Sequence, residues 1–170
     1  NSIYGYEVLG RYIDDDGTVK SLGGFFTETT KTNDEVLEVD RIIRKKALEA
    51  FSLYDENNYI FINMRLAWLC SFGSNPENMP TLVWAREYGI DYSRIVIEIT
   101  EDEIDQNCDR YIAALSYYRS VGCKVAIDDF GRNASNFERL ANILPDIIKI
   151  DMSYVQKSEN LFYYREYLKM

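Results

Sequence analysis

KVAIDDFG, residues 124–131, is an apolar run that ends on two adjacent carboxylates, Asp128 and Asp129, with Gly131 placed to let the chain turn away. Four other stretches are built alike. YGYEVLGR (4–11) reaches Glu7, YIFINMR (59–65) reaches Asn63, RIVIEITE (94–101) reaches Glu98, and IIKID (147–151) sets Lys149 in the same place. When oxygen ligands and one lysine recur at the C-terminal tips of successive strands, with helix-length segments between them, they can converge at one mouth of an α/β barrel. Such a mouth is the layout of a metal-dependent active site.

The segments between these runs support that reading. Residues 3–9 read as a strand and 14–33 as a long polar connection holding Gly17, Gly23 and Gly24. Asp34 is placed to cap a helix whose apolar positions Val36, Val39, Ile43, Ala47, Ala50 and Phe51 are spaced for one buried face. A strand over 59–63 leads to a break with Gly73, Pro76 and Pro80, then a helix over 81–88. A strand over 94–100 precedes a helix over 105–120, with Tyr111, Ile112, Leu115 and Tyr118 on one face. A strand over 124–128, a helix near 136–142 and a strand over 147–151 complete the alternation. Alternation of this kind predicts an α/β fold with a parallel sheet and right-handed crossovers. A closed eight-stranded barrel typically takes about 200 residues or more. The 170-residue chain is therefore expected to hold either an open sheet or an incomplete TIM-like (β/α) barrel, with about five βα units, as a single partial domain over residues 1–170.

Composition narrows the chemistry. A hydrophobic content of 46% suffices for a buried core. No run of eighteen apolar residues and no charged-apolar-small leader occurs, which predicts a cytoplasmic protein without membrane insertion. The net charge of −9 argues against a basic groove for duplex nucleic acid, while a small phosphorylated ligand is compatible with it if divalent metals supply the positive charge. The chain has no histidine, which excludes a Ser-His-Asp or Cys-His nucleophile and a histidine-based zinc site. Cys70, Cys108 and Cys123 show no CxxC spacing and are expected to be reduced structural thiols.

Each polar strand end has an ordinary reading as well. Glu7 alone is a solvent-facing carboxylate, Asn63 alone a turn residue, and Lys149 between isoleucines an edge-strand charge that reaches for water. Glu98 resists that treatment, because a charge inside Ile95-Val96-Ile97-Glu98-Ile99 must be paired, metal-bound or at the sheet rim. Adjacent Asp128 and Asp129 point to opposite faces in a regular strand, yet both can reach a site where the strand ends. Hard carboxylate ligands of this kind suit Mg²⁺ or Mn²⁺.

Together these stretches resemble the EAL domains, the bacterial cyclic di-GMP phosphodiesterases. GYEVLGR is similar to the family's GYEALLR, differing at Val8 and Gly10; IFINMR to its strand ending in Asn-x-Ser; IEITE to its ELTE; IDDFG to its DDFG; and LPDIIKIDMSYV to its LPxxxxKIDxxFV. The motifs span residues 4–155 in the family's order. The resemblance implies a fold of the EAL type in which Glu7, Asn63, Glu98 and Asp128 hold a first metal and Asp129 a second. It further implies that Lys149 positions the nucleophilic water, Arg11 contacts a phosphate of cyclic di-GMP, and Glu101 braces the loop after Asp129. The reaction implied is metal-dependent hydrolysis of one phosphodiester to the linear dinucleotide.

Departures qualify that expectation. Arg65 stands where the family has the serine of Asn-x-Ser, and residues 132–136 read RNASN in place of a Gly-Tyr-Ser-Ser-rich loop. Family strands expected before Tyr4 and after the Lys149 strand are not in the sequence, so this stretch alone is expected to lack a metal ligand, to leave its barrel open and not to hydrolyse the dinucleotide. The alternative reading is a degenerate EAL domain that acts as a non-catalytic cyclic di-GMP receptor or interaction module. Open strand edges favour a homodimer or an exchanged element. Tyr117, Tyr118, Tyr163, Tyr164 and Tyr167 could supply that contact or bury against their own core.

Overall fold

The computed structural model describes residues 3–27, 32–54, 58–71, 78–100, 109–131, 141, 143–153 and 156. The chain divides into two compact units, Asn1–Ile62 with Glu77–Ile95 and Asn63–Pro76 with Val96–Met170.

In the first unit, strand β1 (Gly5–Glu7) pairs in parallel with β4 (Tyr59–Asn63), Gly5 opposite Tyr59 and Glu7 opposite Phe61. Gly5 is required there: a Cβ at this position would stand 2.7 Å from the Tyr59 carbonyl oxygen. The connection read as polar and irregular holds a small antiparallel hairpin, β2 (Arg11–Ile13) with β3 (Val19–Ser21), followed by a short helix α1 (Gly23–Thr27). The hairpin turn is closed by Gly17 N–H donating to the Asp14 carbonyl, with Gly17 at φ 82°, and by a Lys20–Asp14 ion pair.

Helix α2 (Asn33–Phe51) starts two residues earlier than a cap at Asp34 would allow. Thr32 is the cap. Its hydroxyl accepts from Glu35 N–H while the Glu35 carboxylate accepts from Thr32 N–H, a reciprocal capping box. The buried stripe of α2 is also rotated from the expected one. Asp40, Arg44, Leu48 and Phe51 are buried, whereas Ala50 is exposed and Val36, Val39, Ile43 and Ala47 are half-buried. Two charged residues take the inner face because they satisfy one another. Arg44 Nε donates to Asp40 at 2.9 Å, and Arg44 Nη1 to the buried Thr81 hydroxyl at 2.7 Å. Thr81 lies on α4 (Pro80–Glu87), which packs on α2 and is started by its N-terminal proline.

In the second unit, β5 (Ile95–Thr100), β6 (Lys124–Phe130) and β7 (Ile147–Ile150) lie side by side in parallel order. Residues 95–99 of β5 are all buried, the burial expected of a parallel strand covered on both faces. Helix α5 (Asp109–Ser120) packs on β6 and on α3 (Leu66–Ser71), a helix the sequence reading missed. Tyr111 and Tyr118 are buried, so these aromatics belong to the core of their own unit. Cys123 is buried and outside any disulfide, but Cys70 is disulfide-bonded, which corrects the expectation that every thiol is reduced.

Strands interleaved with helices in parallel pairs make this an α/β fold. No helix among the described residues is long and apolar enough to cross a membrane.

Candidate metal centre

Glu98 is the fourth residue of β5, and its side chain is fully buried. A lone carboxylate in that position is costly. The cation that answers it comes from β7: Lys149 Nζ lies 2.5 Å from Glu98 Oε1 and 3.3 Å from Asp128 Oδ1. Carboxylate oxygens of Glu98 and Asp128 themselves lie within 4.8 Å of one another. Three neighbouring strands thus bring two acids and one amine to a single point.

The geometry at Asp128 has a local cause. Ile127 pairs with Ile148 and Phe130 with Ile150, so β6 spends two residues, Asp128 and Asp129, where β7 spends one, Lys149. That is a β-bulge. Asp129 sits at φ 55°, a left-handed conformation that aspartate tolerates better than most side chains, and Gly131 follows at φ 93°. The sequence expectation was that β6 ends at Asp128 and the turn beyond it frees both acids. Instead the strand continues to Phe130, and the bulge resets its alternation.

The remaining site candidates fall as follows. Asn63 ends β4, and the next residue, Met64, donates its N–H to the Glu98 carbonyl at 2.7 Å, which ties this backbone to β5 beside Glu98. Glu7 is the exposed last residue of β1 in the first unit. Arg11 opens β2, exposed, with its guanidinium donating to the Gly10 carbonyl at 2.9 Å. Glu101 and the departing loop at 132–136 lie outside the described residues. The bulge was missed at the sequence level, although two acids facing one lysine in the DD and KID runs is the signal that could have suggested it.

Hard oxygen donors on adjacent parallel strands fit a small divalent cation such as Mg²⁺ or Mn²⁺. The buried Glu98 carboxylate, already drawn to a positive charge, is the observation that makes the fit specific.

An α/β fold with acids and a lysine at the ends of its parallel strands is the class, and the chain belongs to the EAL domain family, whose model matches residues 1–167. Among curated relatives, the EAL-domain-containing protein YkuI of Bacillus subtilis is 35% identical over 157 residues, covering 92% of this chain and 38% of that protein. The cyclic di-GMP phosphodiesterase PdeF of Escherichia coli is 33% identical over 70 residues, covering 41% of this chain and 9% of that protein. The crystal structure of B. subtilis YkuI, in complex with its substrate cyclic di-GMP and calcium, superposes with a TM-score of 0.76 at 36% identity, over 86% of this chain and 36% of that one. The fold is that of the solved EAL structures, a TIM-like barrel type. The chain spans well under half the length of these relatives.

Proposed function

We propose that this chain carries the metal-binding part of a cyclic di-GMP phosphodiesterase, as part of one partial EAL domain over residues 1–170. The observation that carries the reading is the convergence of buried Glu98, Asp128 and Lys149 from three adjacent strands. In this reading Glu98 and Asp128 hold one Mg²⁺ or Mn²⁺, joined by Glu7 and Asn63 on the strength of the family motifs, and Asp129 serves a second ion. When bound, two such ions would supply Lewis acidity, drawing charge from phosphorus and making a water easier to deprotonate. Lys149 orients that water, Arg11 grips a phosphate oxygen, and Glu101 braces the loop beyond Asp129. Water adds its oxygen to phosphorus as one P–O ester bond breaks and the departing oxygen takes up a proton, giving the linear dinucleotide without a covalent enzyme intermediate.

The second reading, a receptor that binds cyclic di-GMP without cleaving it, is favoured by the RNASN sequence at 132–136. One experiment separates the two. The full-length protein is incubated with cyclic di-GMP and Mn²⁺, and the products are resolved by chromatography beside equilibrium binding of the dinucleotide. Linear product, lost in Glu98→Gln and Glu7→Ala, supports the phosphodiesterase. Tight binding with intact dinucleotide supports the receptor, and neither product nor binding overturns both. The same sample, sized across a dilution series, tests the proposed homodimer or exchanged element.

A further inference from the structure

Strand β7 supplies the lysine of the candidate metal centre, yet its own burial does not fix which face turns inward. None of its four residues is buried, and Ile148 and Ile150 are 45% and 44% exposed. The neighbouring β6 is anchored by Val125, Ala126 and Ile127, all fully buried. A slip of one residue carries every side chain of a strand to its opposite face. A slipped β7 would therefore present an isoleucine to Glu98 and Asp128 and send Lys149 outward. Its register needs a source outside the strand.

That source is Arg119, in the last turn of α5. Its Nη2 donates to the carbonyl oxygens of Ile143 and Leu144, both at 2.6 Å, and its Nε stands 3.5 Å from Asp146 Oδ2. The same Asp146 oxygen accepts from Val125 N–H at 2.8 Å, while Asp146 N–H donates to the Val125 carbonyl at 2.8 Å. The guanidinium thus holds the segment that enters β7, and Asp146 fastens that segment to Val125 one rung before the first ladder pair, Ala126 with Ile147. Leu144 lies at φ 50°, a left-handed backbone that is unfavourable for a bulky side chain and persists only where its surroundings hold it. We propose that Arg119 is a positioning residue for the metal centre: with Asp146 it pins the register of β7 on β6, which turns Lys149 toward Glu98 and Asp128. The register claim stands on these hydrogen bonds, while its consequence for catalysis rests on the reading of Lys149 as the residue that orients water.

The test reads the face on which Lys149 lies. The full-length protein and its Arg119→Met variant are acetylated briefly under native conditions, and mass spectrometry compares Lys149 with Lys124, which begins β6. Lys149 of Arg119→Met is expected to react about tenfold faster than in wild type, the factor that corresponds to a loss of about 1.4 kcal/mol of pairing with the acids. Lys124 should be unchanged. Adding Leu144→Gly to Arg119→Met should restore part of the protection, because glycine adopts the left-handed backbone without steric cost; no restoration counts against the pin. An unchanged Lys149 rate in folded Arg119→Met overturns the proposal, and so does an equal rise at Lys124, the mark of general loosening. If Arg119→Met does not fold, Arg119→Lys decides, since one ammonium cannot reproduce the guanidinium fork. Partial exposure of its Lys149 supports the pin, and wild-type protection overturns it. Neither metal nor dinucleotide enters this readout, so it is independent of the phosphodiesterase reading. With cyclic di-GMP and Mn²⁺, Arg119→Met should lower kcat at a KM near that of wild type. An unchanged kcat overturns the link to catalysis, and absence of hydrolysis by wild type overturns the phosphodiesterase reading and leaves the register claim to the acetylation result.

Discussion

At the scale of single residues, the chain places charge where apolar packing is the default. Arg44 and Asp40 occupy the inner face of α2, linked to each other and, through Arg44, to Thr81. Arg44→Ala is expected to destabilise the protein by about 3 kcal/mol, because it leaves the buried Asp40 carboxylate without its partner. Replacing both, Asp40→Leu with Arg44→Met, should cost much less than Arg44→Ala alone. Urea unfolding of the single and double variants checks this, and additive losses would count against a coupled pair. The sequence offered a plausible apolar stripe on this helix, one residue out of phase with the buried one. Its error was to assume that charge faces water; the spacing of Asp40, Arg44, Leu48 and Phe51 is equally helical.

At the scale of elements, short ends and turns carry information that periodicity does not. Thr32-x-x-Glu35 is a capping signature in plain view, and Thr32→Ala should lower stability by about 1 kcal/mol, read as a shift in denaturant midpoint at unchanged slope. Asp91 caps the 3-10 turn Tyr92–Arg94 that leads into β5, accepting from Ser93 N–H at 2.8 Å. That hydrogen bond holds its pKa below the ordinary 3.8. A lowered folded-state value means that the stabilisation is present above 3.8 and is lost as pH falls through the folded value. Asp91→Asn should therefore flatten the acid limb of the melting-temperature profile, and parallel profiles would exclude the effect. The β2–β3 hairpin escaped the sequence reading because its strands are only three residues long, Arg11–Ile13 and Val19–Ser21, and exposed throughout. Its turn, Asp14-Asp15-Asp16-Gly17, was legible only as loop.

At the scale of the whole molecule, the alternation of strands and helices was readable because each parallel strand is an apolar run that carries a polar residue at or near its C-terminal end. That regularity also exposed Glu98, Asp128 and Lys149 as candidates. Their mutual contact was not readable, since it depends on the β6–β7 register and on a bulge that no periodicity announces. If these groups bind metal, occupancy must appear in global stability. At about one hundred times the dissociation constant, Mn²⁺ should raise unfolding stability by about 2.7 kcal/mol, an increment that excess chelator removes. Thermal unfolding of wild type and Glu98→Gln measures it, and equal shifts in the two would place the ion elsewhere.

The bulge at Asp128–Asp129 sets the regularity of the sheet against its chemistry. Deleting one of these residues would restore one-to-one pairing with β7 and ease the left-handed backbone at Asp129. Such a chain could keep its ladder and lose its purpose, so a single missing codon would separate folding from function more cleanly than any side-chain substitution.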